Sequence, residues 1–348
     1  MIKTRQRNLR VMAFYEKITE LQAINSYSKH EQLVTGIRNA IDAKIIQRGD
    51  KLPSINEMVA ELGFARKTIV KAYEELKDRG LVESKKLKGY FVISEETKQT
   101  LKVALILFAF HSFQEEFYNT FREHLGPNVQ LDVFFHHNNP EIFNTILTNI
   151  ENRYGMYVVA PIQSNQIARR LTQIPAEKLL LVDRYLKMEP GYSFITQEFE
   201  HTTLAKLNKL LPKLSRYQRL VLFFKDKADY PIGIRRGFEK FVEQNNLQGQ
   251  VYDAYDSKML QPGSTYIFIS DTNLFKLIRD CMQKELEIGK DIGIISHNDS
   301  LVKEIIAGGI TTISTDFKEM ARKAALFVNE RGPVQEVIPT ALNQRQSL

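Results

Sequence analysis

The chain has 348 residues, a length typical of two or three domains. It is 43% hydrophobic and 26% charged, and because no stretch approaches ~18 consecutive apolar residues, we expect no membrane-spanning helix and no membrane partner. The single cysteine, Cys281, excludes an intramolecular disulfide and a zinc cluster built on cysteines.

The excess of basic residues is concentrated near the N-terminus. The whole chain has a formal charge of +7, and residues 1–97 hold 18 Lys and Arg against 13 Asp and Glu. This excess suits contact with nucleic-acid phosphates, although an ordinary solvated basic face would give a similar value. The first residues lack an apolar segment followed by a cleavage site of small residues, so we expect no secretory signal and a cytoplasmic location.

The first domain is predicted over residues 28–94 and follows an N-terminal extension, residues 1–27. Four aliphatic residues at helical spacing predict its first helix, and a capping box formed by Ser54 and Glu57 opens the second. The predicted elements, in chain order, are an amphipathic helix over 12–24, helices over 29–46, 55–62 and 66–79, and strands over 81–84 and 90–93, followed by a polar linker over 95–100.

The last two of these helices, followed by a hairpin, are typical of a winged helix-turn-helix that binds DNA. The N-terminal residues of the last helix enter the major groove, where Arg66 suits guanine edges or phosphates and Lys67 and Thr68 suit phosphates. The hairpin tip, residues 85–89, is a basic wing. A solvated helical hairpin with a charged turn would show any one of these features, but their order favours DNA binding. The residues predicted to contact DNA are Ser54, Asn56, Arg66, Lys67, Thr68, Lys71, Lys88 and Gly89.

Residues 49–92, GDKLPSINEMVAELGFARKTIVKAYEELKDRGLVESKKLKGYFV, resemble the winged-helix domain of GntR-type regulators. The shared features are a Gly-Asp-x-Leu-Pro-Ser turn, the recognition segment, and a Gly-Leu-Val sequence followed by the wing. The resemblance implies DNA contacts at the start of the recognition helix and in the wing. Ala65 replaces a Ser or Thr of the family pattern, so the recognition helix lacks a capping hydroxyl. Asn56 replaces an Arg, so one DNA contact is expected to differ.

From Leu101 the sequence alternates between apolar strands and helical segments, which is typical of parallel sheets covered by helices. The number of these units fits two three-layer lobes better than one large sheet. The predicted fold is therefore multidomain α/β, with an N-terminal winged helix-turn-helix followed by a two-lobed α/β domain over residues 101–348. Strands are predicted over 101–109, 129–135, 156–160, 179–183, 219–224, 251–254, 265–270 and 292–296.

Polar side chains follow several of these strands, at positions where parallel sheets bind ligands. A cleft between two lobes is also a favoured ligand site. Asp, Asn, Arg and aromatic side chains there would suit a sugar, because they pair with hydroxyls and cover the C–H face of the ring. Each would equally serve as a loop residue that caps the next helix. The candidates are His111, Asp183, Arg184, Asp271, His297 and Asn298.

Residues 101–348 resemble the regulatory domain of LacI/GalR-type proteins, which shares its fold with periplasmic sugar-binding proteins. The most specific motifs are IGKDIGIISHNDS, GGITTISTDFKEMARKAALFV and IPTALNQRQSL. The resemblance implies effector contacts at several of the candidates above and adds Glu200 and Phe113. Arg235 is a further candidate, next to Ile234, which stands where the family carries a ligand-binding Arg.

A GntR-type head on a LacI-type body resembles the arabinose-responsive regulator subgroup, which makes arabinose- or fucose-type monosaccharides candidate effectors. We therefore expect a homodimer that represses sugar-utilisation genes at a palindromic operator and is released by its effector. The alternatives are an aminotransferase-type enzyme with a winged-helix head and a plain sugar-binding protein with an inactive head. The chain shows no Gly-rich phosphate loop, HExxH motif or nucleophile elbow, so no catalytic residue, cofactor or metal is expected. The adjacent His136 and His137 are more typical of a surface or core pair than of a metal site.

Overall fold

The computed structural model describes residues 2–23, 28–97, 101–151, 153–226, 230–330 and 332–348. A helical head, drawn from residues 2–97, precedes two α/β lobes, called the N-lobe and the C-lobe. None of the helices in these residues combines the length and apolar character needed to cross a membrane. The predicted linker, residues 95–100, is described as far as Thr97, whose hydroxyl donates a 2.5 Å hydrogen bond to Asp42 in the head.

The head contains a helix-turn-helix and an antiparallel hairpin. Ser28 and Ser54 each form a capping box at the start of a helix, whereas Ala65 makes no side-chain cap hydrogen bond. Its elements are α1 (Ile2–Thr19), a 3₁₀ turn (Glu20–Ala23), α2 (Lys29–Asp42), α3 (Ile55–Leu62), α4 (Arg66–Asp78), β1 (Val82–Lys85) and β2 (Gly89–Val92).

The first helix belongs to the head core. It covers Ile2–Thr19 instead of the predicted 12–24, and its Phe14 and Ile18 are buried with residues of α2, α3 and α4. Gly36 of α2 permits the close approach, because a Cβ at this position would lie 2.8 Å from the Ile18 Cα. The N-terminal extension therefore completes the core of the first domain.

The end of α2 differs from the prediction. The helix stops at Asp42 and does not reach residue 46, because Lys44 adopts a left-handed conformation with φ of 56°. The Ile45 amide then donates to the Ala40 carbonyl at 2.9 Å, a six-to-one bond typical of a helix C-terminus. Ile45 still packs on the head core, which explains why its spacing imitated a longer helix.

Each lobe is a six-stranded sheet with apolar clusters on both faces. The N-lobe sheet has the order β13-β7-β6-β5-β3-β4 and is parallel throughout. Its elements are β3 (Leu101–Leu107), α5 (Ser112–His124), β4 (Val129–Phe135), α6 (Pro140–Ile150), β5 (Met156–Val159), α7 (Asn165–Leu171), β6 (Leu179–Asp183), β7 (Ser193–Thr196), α12 (Phe317–Glu330) and β13 (Gln335–Val337).

The C-lobe sheet has the order β14-β12-β11-β10-β8-β9, with only β14 antiparallel to its neighbour among the described strands. Its elements are α8 (Glu200–Leu214), β8 (Arg219–Phe223), α9 (Ile232–Gln244), β9 (Gly249–Tyr252), β10 (Ser264–Phe268), α10 (Asp271–Gln283), β11 (Ile292–His297), α11 (Leu301–Ile305), β12 (Thr311–Thr315) and β14 (Thr340–Asn343). The two three-layer lobes agree with the sequence prediction.

Four strands were not predicted: β7, β12, β13 and β14. The sequence of β12, TTIST, is nearly all hydroxyl residues, yet every one of its side chains is buried. Strands β13 and β14 are short edge strands that return from one lobe to the other. The chain passes between the lobes three times, after Thr196, after Thr315 and after Val337, so the cleft is bordered by three connections.

Candidate functional site

The start of α4 presents basic side chains to solvent. Arg66, Lys67 and Lys71 are exposed, and the last two share one face because they are four residues apart. Arg66 Nη1 donates a 2.6 Å hydrogen bond to Asn56 Oδ1, so two of the predicted DNA contacts hold each other. Thr68 is half-buried beside them, and its amide donates to the Ala65 carbonyl.

Ser54 is exposed at the start of α3, and its hydroxyl is engaged in the helix cap. Its Oγ accepts the Glu57 amide at 3.2 Å, and the Glu57 carboxylate accepts the Ser54 amide at 2.6 Å. The hydrogen bond from the Ser54 backbone amide lowers the pKa of Glu57. Ser54 therefore positions α3 whether or not it also meets a phosphate.

The wing is exposed and basic. Lys86 and Lys88 lie in solvent, and Gly89 has a φ of 102° that a side chain rarely adopts. Lys51, which the sequence had not indicated, lies beside Gly89: a Cβ there would come within 3.1 Å of the Lys51 Cε. Lys51, in the turn before α3, thus adds positive charge beside the basic wing.

The other end of α4 rests on the N-lobe. Lys178 Nζ lies 2.6 Å from Asp78 Oδ1 and 3.8 Å from the Glu74 carboxylate, and Arg153 lies 3.3 Å from Glu83. These acidic residues of the head are thereby neutralised at the contact with the N-lobe. The opposite end of α4, about 18 Å away for a 13-residue helix, keeps its unneutralised basic character.

A cleft of about 390 Å³ lies between the lobes, a size suited to a small ligand. The strand ends of both lobes line it, because parallel strands direct their carboxyl ends to the same edge. Of the predicted effector contacts, His111, Phe113, Asp183, Arg184, Asp271, His297 and Asn298 line the cleft.

The N-lobe wall is aromatic and cationic. The Arg184 guanidinium lies 4.2 Å from the centre of the Phe108 ring, a cation–π contact. The His111 and Phe113 rings are stacked 5.9 Å apart, and Phe113 also packs against Phe317. This wall offers flat faces to a ring-shaped ligand.

Lys303 organises the C-lobe wall, although the sequence had not indicated it. Its side chain is 2% exposed, and Nζ lies 2.7 Å from the Asp271 carboxylate. It also donates to the carbonyls of His297 at 2.9 Å and Asn298 at 2.7 Å. Burial lowers the pKa of Lys303, while Asp271 opposes that shift. Within the segment LVKEI, Lys303 had the pattern of an ordinary solvent-facing helical lysine.

A chain of hydrogen bonds runs from the cleft through the connections between the lobes. Gln197 donates to the Asp183 carboxylate, and its oxygen accepts from Thr315 Oγ1 at 2.7 Å. Thr315 Oγ1 in turn lies 3.1 Å from Thr340 Oγ1. Burial raises the pKa of Asp183, which Arg184 partly opposes. Gln197, Thr315 and Thr340 each stand at a different crossing between the lobes, so the cleft is directly bonded to its hinge.

Two predicted effector contacts lie elsewhere, and those predictions are corrected. Glu200 pairs with Lys240 at 2.5 Å, and Arg235 pairs with Asp226 and Glu239 at 2.9 and 2.7 Å; neither lines the cleft. The acidic residue that does is two positions earlier, because Glu198 precedes the first turn of α8. Buried Ile234 faces the cleft in place of its neighbour Arg235, as the helical rotation between adjacent residues requires.

Comparison with known proteins identifies both parts. Residues 29–92 match the gntR family of bacterial regulatory proteins, and residues 215–348 match a periplasmic binding protein-like domain. The chain joins a gntR-family helix-turn-helix domain to a periplasmic-binding-protein-like domain. The predicted gntR-type head and the periplasmic-binding-protein-like character of the body are thereby confirmed.

The curated relatives match about a fifth of this chain. The HTH-type transcriptional repressor YtrA of Bacillus subtilis is 35% identical over 72 residues, which are 21% of this chain and 55% of that protein. The uncharacterized HTH-type transcriptional regulator YcxD of the same species is 31% identical over 70 residues, 20% of this chain and 16% of that protein. The matched part of the chain thus spans between about a sixth and just over half of these relatives.

The periplasmic-binding-protein-like body has the fold of LacI family regulators. A LacI family transcriptional regulator from Lactobacillus casei with bound sucrose superimposes with a TM-score of 0.61 at 14% identity, over 71% of this chain and 99% of that chain. Another from Silicibacter pomeroyi gives 0.61 at 16% identity, over 71% and 98% of the two chains. At this identity the likeness shows the fold of the body.

Proposed function

We propose that this protein is a cytoplasmic transcription regulator that binds operator DNA through its head and a small polyhydroxylated effector in its cleft. The observation that carries the proposal is that one chain has both an exposed basic start of α4 and a two-lobed cleft. Hydrogen bonds join this cleft to the connections between the lobes. The basic face would contact phosphates and base edges, and the cleft would close on its ligand.

The proposed DNA contacts are Arg66, Lys67, Lys71 and the wing residues Lys88 and Gly89, with Asn56 holding Arg66 in position. Thr68 and Ser54 would support the same surface through the start of each helix. An Arg next to the major groove is suited to paired hydrogen bonds with guanine, whereas the lysines are suited to phosphates.

The proposed effector is a monosaccharide or a related sugar, held by the seven predicted residues of the cleft together with Gln197 and Glu198, while Lys303 keeps Asp271 and the backbone of His297 and Asn298 in place. Structures of a LacI family regulator with bound sucrose and glucose support this class. Arabinose- and fucose-type sugars are the first candidates. We further propose that the effector releases the DNA, so that the protein acts as a repressor.

We propose that the protein forms a homodimer through its C-lobe. Several large apolar side chains of α10 and α11 are exposed there, and such a group is typical of a protein–protein interface. A pair of heads related by a two-fold axis would match a palindromic operator. These side chains are Phe275 (42% exposed), Met282 (75%), Leu301 (71%), Val302 (51%) and Ile305 (70%).

The direct test begins with DNA selected from a random pool by the wild-type protein. A palindromic consensus, bound as a dimer in gel shifts and size-exclusion chromatography, would support the proposal. The complex is then titrated with a panel of monosaccharides, and we expect one of them to dissociate it. Absence of selected DNA contradicts the regulator, and tighter binding with the sugar contradicts release.

A further inference from the structure

The N-terminus of α8 opens into the cleft, and the chain itself occupies it. Free amides at such a position normally form an anion site, since the helix dipole and the unpaired N–H groups attract negative charge. Here Glu198 accepts the amide of Glu200 at 2.8 Å and that of His201 at 3.0 Å through Oε1, and the amide of Thr202 at 2.7 Å through Oε2. A side-chain carboxylate therefore already fills the place of a phosphate.

This carboxylate stays charged. Burial opposes its ionisation, but the backbone hydrogen bonds outweigh burial and lower the pKa of Glu198 below its ordinary value. Glu198 lines the cleft, so an anionic ligand would meet both a filled amide site and a like charge.

The cations that line the described part of the cleft are already balanced. Lys303 is bonded to Asp271 and to two backbone carbonyls, so its ammonium has no position left for a strong new anion. Arg184 lies against the Phe108 ring and interacts with Asp183. Ile234 adds an apolar surface to the same wall. The cleft therefore holds no surplus positive charge among its described residues.

Two buried polar groups of the cleft nevertheless lack partners among the described residues. His297, 8% exposed, has an Nε2 without a hydrogen bond, and Thr203, 2% exposed, has an Oγ1 in the same condition. Burial, with Lys303 nearby, lowers the pKa of His297 to about 4, so its imidazole is neutral near pH 7. A neutral imidazole and a hydroxyl are suited to ligand hydroxyls, which both donate and accept.

We propose that the cleft accepts an uncharged polyhydroxylated ligand and excludes phosphorylated or carboxylated sugars, with Glu198 as the residue that determines this specificity. The inference rests on the proposed function only in assigning the ligand to the sugars. The occupation of the amide site by Glu198 is independent of the sugar, so it can be tested with inorganic phosphate and no sugar present.

The experiment is a thermal-shift titration of the full chain with inorganic phosphate at constant ionic strength. Wild type should show no phosphate-dependent rise in Tm, whereas Glu198→Ala, which empties the amide site, should gain a rise of about 3 °C or more at saturation. Glu200→Ala is the matched control, because it removes the same charge two residues further along the chain, at the start of α8 but outside the cleft, and it should gain no rise.

A second arm uses wild type alone, so that it stands even if Glu198→Ala does not fold. Each neutral monosaccharide is compared with its own phosphate, and only the neutral form should raise Tm. A rise with inorganic phosphate or with the sugar phosphates in wild type overturns the proposal, as does a folded Glu198→Ala that gains nothing. Failure of every sugar, with the phosphate gain of Glu198→Ala intact, would count against the sugar effector and leave the exclusion of anions supported.

Discussion

The head surface and the cleft hold their polar residues in different ways. On the head, Arg66 is exposed and its partner, Asn56, is ten residues away in the chain. In the cleft, Lys303 is buried against Asp271, and Gln197 meets Thr315 across 118 residues. The head surface is local and exposed, whereas the cleft is assembled from distant segments and includes deeply buried polar groups.

The difference follows from what each region would bind. A surface that meets the phosphates of DNA gains affinity from charges that remain available in solvent. A cleft that encloses a neutral ligand must balance its own charges first, since an unpaired buried charge costs several kcal/mol. The acidic residues of the head are consistent with this view, because Asp78, Glu74 and Glu83 are paired with the N-lobe away from the basic end of α4.

The largest effect is expected at Lys303. Lys303→Ala should lower the free energy of unfolding by about 3 kcal/mol, because Asp271 and two backbone carbonyls lose a buried partner. Urea unfolding followed by circular dichroism measures the change. Lys276→Ala, on the exposed face of α10, is the control and should cost less than about 0.5 kcal/mol. Equal costs for the two variants would remove the contrast between buried and exposed charge.

The next effect concerns the head. Arg66→Ala should weaken binding to the selected DNA by about 2 kcal/mol, roughly 30-fold, without changing stability, because Arg66 is exposed. Asn56→Ala should reproduce part of this loss, since Asn56 holds the guanidinium in place. Lys209→Ala removes the same charge from the exposed face of α8 in the C-lobe, and its DNA affinity should match wild type in gel shifts. An unchanged affinity of Arg66→Ala would exclude α4 as the recognition helix.

The third effect is a dependence of stability on pH. Because burial lowers the pKa of His297 to about 4, the unfolded chain binds a proton more readily than the folded one between pH 6.5 and 4. The contribution of neutral His297 to the free energy of unfolding is therefore fully present above pH 6.5. It falls as the pH decreases, by about 2 kcal/mol at pH 5. His136, whose pKa is also about 4 through burial, adds a similar amount.

His297→Gln should remove its share of that pH dependence, measured by urea unfolding at pH 7 and pH 5. His201→Gln is the matched control, since the His201 side chain is 86% exposed. If His297→Gln loses as much free energy of unfolding between pH 7 and pH 5 as wild type does, the His297 ring is not buried in its neutral form, and this prediction is wrong.

The smallest effect is expected in the hinge. Thr315→Val keeps the shape of the side chain but removes the hydroxyl between Gln197 and Thr340, which should cost about 1 kcal/mol of stability. It should also reduce the difference between the operator affinities measured with and without effector. Thr315→Ser retains the hydroxyl and should keep both properties close to wild type. A Thr315→Val protein with full effector response would show that this chain of bonds does not link cleft and hinge.

The sequence by itself determined most of the head and the order of the lobes. The Ser54 capping box and the basic start of α4 are local features, and the bounds of α3 and α4 agree with the prediction to within one residue. Strands such as β5 and β6 were also recognisable, because continuous apolar runs are required wherever a strand is buried on both faces.

Only the tertiary structure decided the rest. The strand β12 is buried although its residues are polar, since its hydroxyls bond to segments that the chain brings from far away. Tertiary structure also decides which residue at a helix start faces the cleft. Glu198 and Ile234 line the cleft, whereas Glu200 and Arg235 do not, because a shift of one or two positions turns the side chain away. Lys303 shows the limit of prediction from local sequence. A buried lysine and a solvent-exposed lysine on a helix have the same local pattern, so only the packing of the helix reveals which one is present.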